Sequence, residues 1–410
     1  MENSLPQMAG AIDATRPRLG AGFREWLLTR WFRDIRVGRL TVELPSGAQR
    51  VFVGETPGPR AQLAIRDLRL VTRMIFGGDV GFAEGYMEGD WDTPDLSALL
   101  ALGKLNADAL DKVLGRHALV NLASRLRHAG RANTRRGSRR NIAAHYDLGN
   151  DFYRAWLDPS MTYSSALFAD LDEPMADAQR RKYLRLAQQL DLKPGQRILE
   201  IGCGWGGFAE IAAAEFGCTV IGLTLSTEQA AFARQRMART GLSEQVEIRI
   251  QDYRDVEGTF DHVVSIEMFE AVGEKFWPTY LDTLTRRLKP GGRAALQVIT
   301  IDDDKYHNYR RNPDFIQNYI FPGGMLPSPD AFADAVERAG LRFIDGFFFG
   351  PSYAETLRRW DRDFREHWPQ IAEQGFDQRF YRMWHYYLRY CEVGFDYGTI
   401  DVGQFVIERP

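Results

Sequence analysis

Along the second half of the chain, short and almost wholly apolar runs alternate with longer stretches in which apolar residues recur at helical spacing. The runs are Arg197-Ile-Leu-Glu-Ile-Gly, Cys218-Thr-Val-Ile-Gly-Leu, Val246-Glu-Ile-Arg-Ile, Phe260-Asp-His-Val-Val-Ser-Ile and Arg293-Ala-Ala-Leu-Gln-Val-Ile. Continuous apolar strands spaced by helices predict a parallel sheet covered on both faces, since a sheet with one wet face alternates instead. The fold class is therefore α/β, with a doubly wound, mostly parallel sheet whose ligands sit at the carboxyl ends of the strands. The first part of the chain reads differently. Alternating segments such as Arg39-Leu-Thr-Val-Glu-Leu are broken by Pro-Ser-Gly and Pro-Gly-Pro turns and followed by helical patterns, which predicts a small α+β domain. The expected division is residues 1–115, a connector over 116–140, and a larger domain over 141–410.

The connector changes the picture because of its charge. Residues 116–140 hold eight arginines and two histidines, which reads either as a solvated linker or as a patch drawn to anionic lipid headgroups. The chain as a whole has a formal net charge of -3, which argues against a general nucleic-acid partner. The three cysteines, Cys203, Cys218 and Cys391, are too scattered for a disulfide framework or a zinc site, and fit a reducing cytoplasmic compartment. No apolar run approaches the roughly 18–20 residues that span a bilayer. The Asp302-Asp-Asp run reads as a solvated loop, and no metal is expected.

The strongest chemical signal is Leu199-Glu-Ile-Gly-Cys-Gly-Trp-Gly-Gly-Phe-Ala, closing a strand and opening a helix. Glycines there let the backbone turn tightly and approach a ligand. Such a loop also marks dinucleotide sites, and three details favour S-adenosylmethionine instead. Glu200 precedes the first glycine, where it can face a cationic ligand end. The second strand ends in Gly222-Leu-Thr-Leu-Ser-Thr-Glu-Gln with no acid at its tip to grip a nicotinamide-type ribose. Asp252 follows the third strand, where it can accept from an adenine amino group.

With Glu200 to Ala209 joined to Gly222 to Gln229, the chain resembles the cyclopropane fatty acid synthase and mycolic acid methyltransferase family. Further matches are Ala144-His-Tyr-Asp-Leu-Gly-Asn-Asp-Phe-Tyr, Leu157-Asp-Pro-Ser-Met-Thr-Tyr-Ser, Met268-Phe-Glu, Tyr319-Ile-Phe-Pro-Gly-Gly-Met-Leu-Pro-Ser and an aromatic helix around Tyr381 to Phe395. Gly85-Tyr-Met-Glu-Gly-Asp-Trp-Asp is similar to the N-terminal lipid-carrier-like domain of the bacterial phospholipid-modifying members. The resemblance implies a Rossmann-like S-adenosylmethionine methyltransferase that adds a methyl or methylene group to the cis double bond of unsaturated phospholipid acyl chains. It also implies transient contact with the inner face of the membrane, and it allows a homodimer. The cofactor residues it implies are Tyr163 and Ser164 at the methionine end, Gly202 and Gly204 in the loop, and Thr224, Leu225 and Gln229 around the ribose. For Tyr163 and Ser164 the plain alternative is a helix-capping turn.

An alkene is a poor nucleophile, so methyl transfer to it passes through a carbocation-like state that must be stabilised and kept from water. Tyr319, Tyr353, Trp360, Phe364, Tyr386 and Tyr390 are candidates for aromatic faces turned to that cation, and core packing is the alternative for each. The resemblance implies a bound bicarbonate as an optional second group taking the proton, held by Glu270, Tyr353 and the backbone of Ser165 and Ile299. Two positions depart from the family pattern. Ser165 stands where cysteine is usual, and Gln297 stands where the family has a histidine. Glutamine donates a hydrogen bond but cannot relay a proton near neutral pH, so the bicarbonate site is expected to be weakened or rebuilt. Proton loss from the transferred methyl closes a ring, whereas loss from the neighbouring chain carbon leaves a methyl-branched or methylene-bearing product. Glu267 reads as a partner of Glu270 on one helix face or as a solvent-facing residue, and His145 as an orienting or a packing residue. A non-enzymatic lipid-binding protein and a methyltransferase for a water-soluble acceptor are the competing readings.

Overall fold

A computed structural model describes residues 21–114 and 148–410. The basic connector and His145 lie outside the described residues. In the first segment the alternating pattern forms β1 (Val37–Glu43), β2 (Gln49–Val53) and β3 (Thr56–Ile65), with a short β4 (Trp91–Asp92), in the order β2-β1-β3-β4. Inward-facing Leu40 and Val42 of β1 and Leu63 and Ile65 of β3 pack beneath the helices Ala21–Phe32, Arg69–Met87 and Leu96–Leu105. Gly85 is needed for close approach, since a Cβ there would lie 2.9 Å from Leu70 and 3.1 Å from the Trp91 ring.

The five apolar runs become β5 (Arg197–Ile201), β6 (Thr219–Thr224), β7 (Val246–Ile250), β8 (Phe260–Ile266) and β9 (Leu288–Ile301), parallel to one another. Two further strands, β10 (Arg342–Phe348) and β11 (Ile400–Glu408), complete a sheet of order β10-β11-β9-β8-β5-β6-β7. β11 runs antiparallel to both β9 and β10. Alternate residues of β5 feed opposite cores, as the two-residue period requires. Leu199 and Ile201 face a layer with Phe269, Tyr280 and Phe332, while Ile198 faces one with Leu186, Phe208 and Ala233.

The chain order reverses between β5 and β8, so a crevice opens at their carboxyl ends. It is walled by the helices Gly350–Glu366 and Gln378–Asp396, whose aromatic residues join the core of the N-terminal sheet in one apolar cluster. The helix Gln378–Asp396 ties the two parts together. Arg382 donates to the backbone carbonyls of Tyr86 and, at 2.9 Å, of Trp91, Arg379 pairs with Glu88 at 2.8 Å, and Glu392 accepts from Ser97 at 3.0 Å. Among the described residues no helix is long and apolar enough to cross a membrane.

Candidate active site

The glycine-rich loop follows β5 directly. Gly202 and Gly204 have φ of +83° and +52°, where a side chain is strained. A Cβ on Gly202 would strike Met268 at 2.9 Å, while one on Gly204 would meet nothing within 4 Å. The loop thus presses on the β8 side at one glycine and faces open space at the other. At the tip of β6, the Thr224 hydroxyl donates to Gln229 at 2.8 Å and accepts from the backbone of Ser226 at 3.1 Å. Ser226 caps the following helix, so Thr224, Leu225 and Gln229 stand together beside the loop.

Two of the expected contact residues have surroundings that the sequence did not show. Asp252 is buried at the tip of β7 and grips Arg254, accepting from Nε at 2.8 Å and from Nη2 at 2.6 Å. Its short side chain begins a tight turn, and the neighbouring guanidinium claims both oxygens. Glu200 lies beneath the loop on the inner face of β5, where an oxygen has no partner. Burial pushes its carboxyl up to about 8, against a hydrogen bond from the Ala209 backbone. An open glycine turn, a buried carboxyl oxygen without a partner and a hydroxyl–amide pair suit a cationic, hydroxyl-bearing ligand such as S-adenosylmethionine.

Residues 163–165 bridge this loop and a second cluster. The Tyr163 hydroxyl bonds that of Tyr387 at 2.8 Å, and its ring lies 5.3 Å from that of Trp360. Ser164 is buried and accepts from Lys182 Nζ at 2.6 Å. The Ser165 backbone N–H donates to Glu267 Oε1 at 2.8 Å. Glu267 is neither solvent-facing nor stacked on Glu270 along a helix. It sits just after β8 with φ of +49° and also accepts from Gln297 Nε2 at 2.7 Å and from the Tyr353 hydroxyl at 2.7 Å. Glu270 accepts from the Ile299 backbone, and its second oxygen is buried without a partner. Gln297 in turn accepts from Gln404 Nε2 of β11 at 3.0 Å, which fixes its amide orientation. The donors expected around bicarbonate therefore all end on protein carboxylates, and the residues present do not fit a bound bicarbonate.

Burial drives both carboxyls upward, Glu270 to about 8 with repulsion from Glu267 adding to the shift. Glu267 has three hydrogen-bond donors and the attraction of Lys182, whereas Glu270 has backbone donors alone. Of the pair, Glu267 is the one held more strongly in its charged form. Burial in turn pulls Lys182 down to about 7, opposed by the attraction of Glu267. Lys182 escaped the sequence reading. The available signal was its spacing with Ala178 and Leu186, which places a lysine on the buried stripe of the helix Met175–Gln189.

The aromatic candidates divide. Tyr353 and Trp360 meet edge to face, with centroids 6.2 Å apart, at the carboxylates. Phe364 packs between Phe152 and Tyr381, and Tyr386 and Tyr390 pack against Phe315. Tyr319 donates to Glu84 of the N-terminal part. These four serve packing and joining. Asp302 caps the helix Asp303–Tyr309, accepting from Asp304 at 2.9 Å.

The buried acids set a pH dependence. Glu200 and Glu270 have folded values of about 8 against ordinary values near 4.5. Their contribution to stability is therefore fully present below about 4.5 and is lost as pH rises through 8. Cofactor-free protein is expected to melt at lower temperature at pH 9 than at pH 6, and E200Q and E270Q are each expected to shrink that difference. Calorimetric melts showing the wild-type slope in both variants would contradict this.

The comparisons with known proteins agree with this geometry. The family model for mycolic acid cyclopropane synthetase matches residues 133–405. The tuberculostearic acid methyltransferase of Mycobacterium tuberculosis is 43% identical over 350 residues, covering 83% of this chain and 81% of that protein. The cyclopropane-fatty-acyl-phospholipid synthase of Escherichia coli is 36% identical over 375 residues, covering 90% and 93%. A crystal structure of a mycolic acid cyclopropane synthase complexed with SAH and CTAB superposes with a TM-score of 0.62 at 31% identity, covering 66% of this chain and 98% of that one. With matches this long and this similar, the chain belongs to the mycolic acid cyclopropane synthetase family as an S-adenosylmethionine-dependent methyltransferase acting on lipids.

Proposed function

We propose that the protein methylates the cis double bond of unsaturated acyl chains in membrane phospholipids and releases an open-chain, methyl-branched or methylene-bearing acyl product. The observation that carries this is the half-buried Glu267 carboxyl, held by three hydrogen bonds and joined to Tyr353, whose ring meets that of Trp360. A neutral apolar substrate that becomes a cation only during reaction is served by such a pocket, where burial strengthens each electrostatic contact. When bound, S-adenosylmethionine supplies an electrophilic methyl group. Gly202, Gly204, Thr224, Leu225 and Gln229 would hold it on the loop side, with Tyr163 and Ser164 at its methionine end. Trp360 and Tyr353, both buried, exclude water from the site, and Glu267 balances the charge. The open-chain product is supported by the 43% identity to the tuberculostearic acid methyltransferase, against 36% to the cyclopropane synthase.

In this reading residues 1–115 act as a lipid-carrier-like domain, residues 116–140 as a basic connector drawn to anionic headgroups, and residues 141–410 as the catalytic domain. The enzyme would work from the cytoplasm at the inner face of the membrane. The test is extraction of lipids from cells expressing the protein. Acyl chains heavier by one carbon are expected in mass spectra, without the upfield cyclopropane signals in proton spectra. Unchanged lipids would sink the acyl reading, and cyclopropane signals would overturn the open-chain product.

A further inference from the structure

We infer that the Glu267 carboxylate occupies the place that the family's bicarbonate would fill and is itself the group that takes the proton from the substrate cation. Three donors that the resemblance assigns to bicarbonate, the Ser165 backbone, the residue-297 side chain and the Tyr353 hydroxyl, converge on its two oxygens at 2.7–2.8 Å. The fourth, the Ile299 backbone, is taken by Glu270. A carboxylate on the chain has the planar, two-oxygen anionic form that such donors hold. It also requires no ligand to be captured from solution.

The backbone supports the assignment. Glu267 is one of three described residues other than glycine with positive φ, at +49°. A non-glycine residue held in that region is strained and persists where the surroundings demand it. Here the demand comes from four elements at once: the loop bearing Ser165, β9 bearing Gln297, the helix bearing Tyr353, and the helix bearing Lys182. Gln297 then has a role that a histidine would not serve equally. Its amide donates to Glu267 and accepts from Gln404, so it orients the carboxylate without competing for the proton.

The step balances simply. After methyl transfer the acyl chain carries a positive carbon. For a methyl-branched alkene, a C–H bond on an adjacent chain carbon breaks, its electron pair becomes the π bond of the new double bond, and the proton passes to a Glu267 oxygen; for a methylene product, a 1,2-hydride shift first moves the charge to the methyl-bearing carbon, and the C–H bond that breaks is one of the transferred methyl's. Solvent recovers that proton between turnovers. No second anion and no oxidant enters.

The inference rests on the acyl-methylation reading, and the experiment separates the two. The full chain is assayed on vesicles of oleoyl phosphatidylglycerol with S-adenosylmethionine, in buffer stripped of carbon dioxide and in buffer with added bicarbonate. Wild-type turnover is expected to be the same in both within about twofold. E267G, which relieves the backbone strain and opens the space of the side chain, is expected to lose about 100-fold or more without bicarbonate and to recover in part when bicarbonate is added. E267Q, which keeps the space filled, is expected to stay inactive in both. Carbon-13 bicarbonate, followed by infrared difference spectra, is expected to bind E267G and not the wild type, while calorimetry shows similar cofactor affinity in each. A wild-type rate that collapses without bicarbonate, bicarbonate binding to the wild type, or full activity of E267G in stripped buffer would overturn the inference. Should no vesicle product form with any variant, the acyl reading fails, and the binding spectra still decide whether Glu267 fills the anion site.

Discussion

Replacing Gly204 with valine is expected to leave a folded protein that binds S-adenosylmethionine at least about 100-fold more weakly, a loss of about 2.8 kcal/mol. The left-handed φ of +52° costs a side chain about 1–2 kcal/mol, which a chain of this size can bear. The new Cβ meets no protein atom within 4 Å, so the core is not pushed apart. The added methyls instead enter the open side of the loop, where a cofactor backbone must approach. Calorimetric titration beside a thermal melt separates the two effects. Undiminished affinity in a folded variant would show that the open side of this loop is not the cofactor's path.

Lys182→Met should divide stability from activity. A lysine buried this deeply keeps its charge at a penalty, because its folded value of about 7 lies well below the ordinary 10.5. That penalty is fully present below about pH 7 and is relieved as pH rises toward 10.5. Methionine of similar length removes it, so the melting temperature is expected to hold or rise, most clearly at pH 6. Turnover is expected to fall by about 100-fold or more, since Glu267 loses the cation that opposes its burial and takes up a proton in the resting enzyme. The variant also leaves Ser164 Oγ without its donor. Retained turnover at pH 7 would mean that the three hydrogen bonds alone keep Glu267 ionised.

Much of this molecule was legible before its structure. Each of the five apolar runs became a strand of the large sheet, because strands buried on both faces need apolar residues at every position. The final strand β11 was not anticipated. Its sequence, Ile400-Asp-Val-Gly-Gln-Phe-Val-Ile-Glu, mixes polar residues into an inner position, and Gln404 is there to bond Gln297 and Lys182 rather than to fill a core. The loop glycines and the Thr224–Gln229 pair could be read because backbone freedom and side-chain chemistry at fixed spacing survive without tertiary information. The surroundings of Asp252 and Glu200 could not be read, since they are set by a guanidinium two residues away and by the burial of a strand face. Glu267 is the sharpest case. One side-chain position decides whether a carboxylate looks outward or accepts from three elements distant in sequence, and no local pattern encodes that.

A glycine would rest at position 267 with less strain than the glutamate there, given φ of +49°. Glycine and glutamate codons can differ by a single nucleotide. On the proposal that Glu267 supplies the anion, one point mutation is expected to turn a chain that carries its own anion into one that depends on dissolved carbon dioxide, and the carrying form is expected to keep its rate where carbon dioxide is scarce.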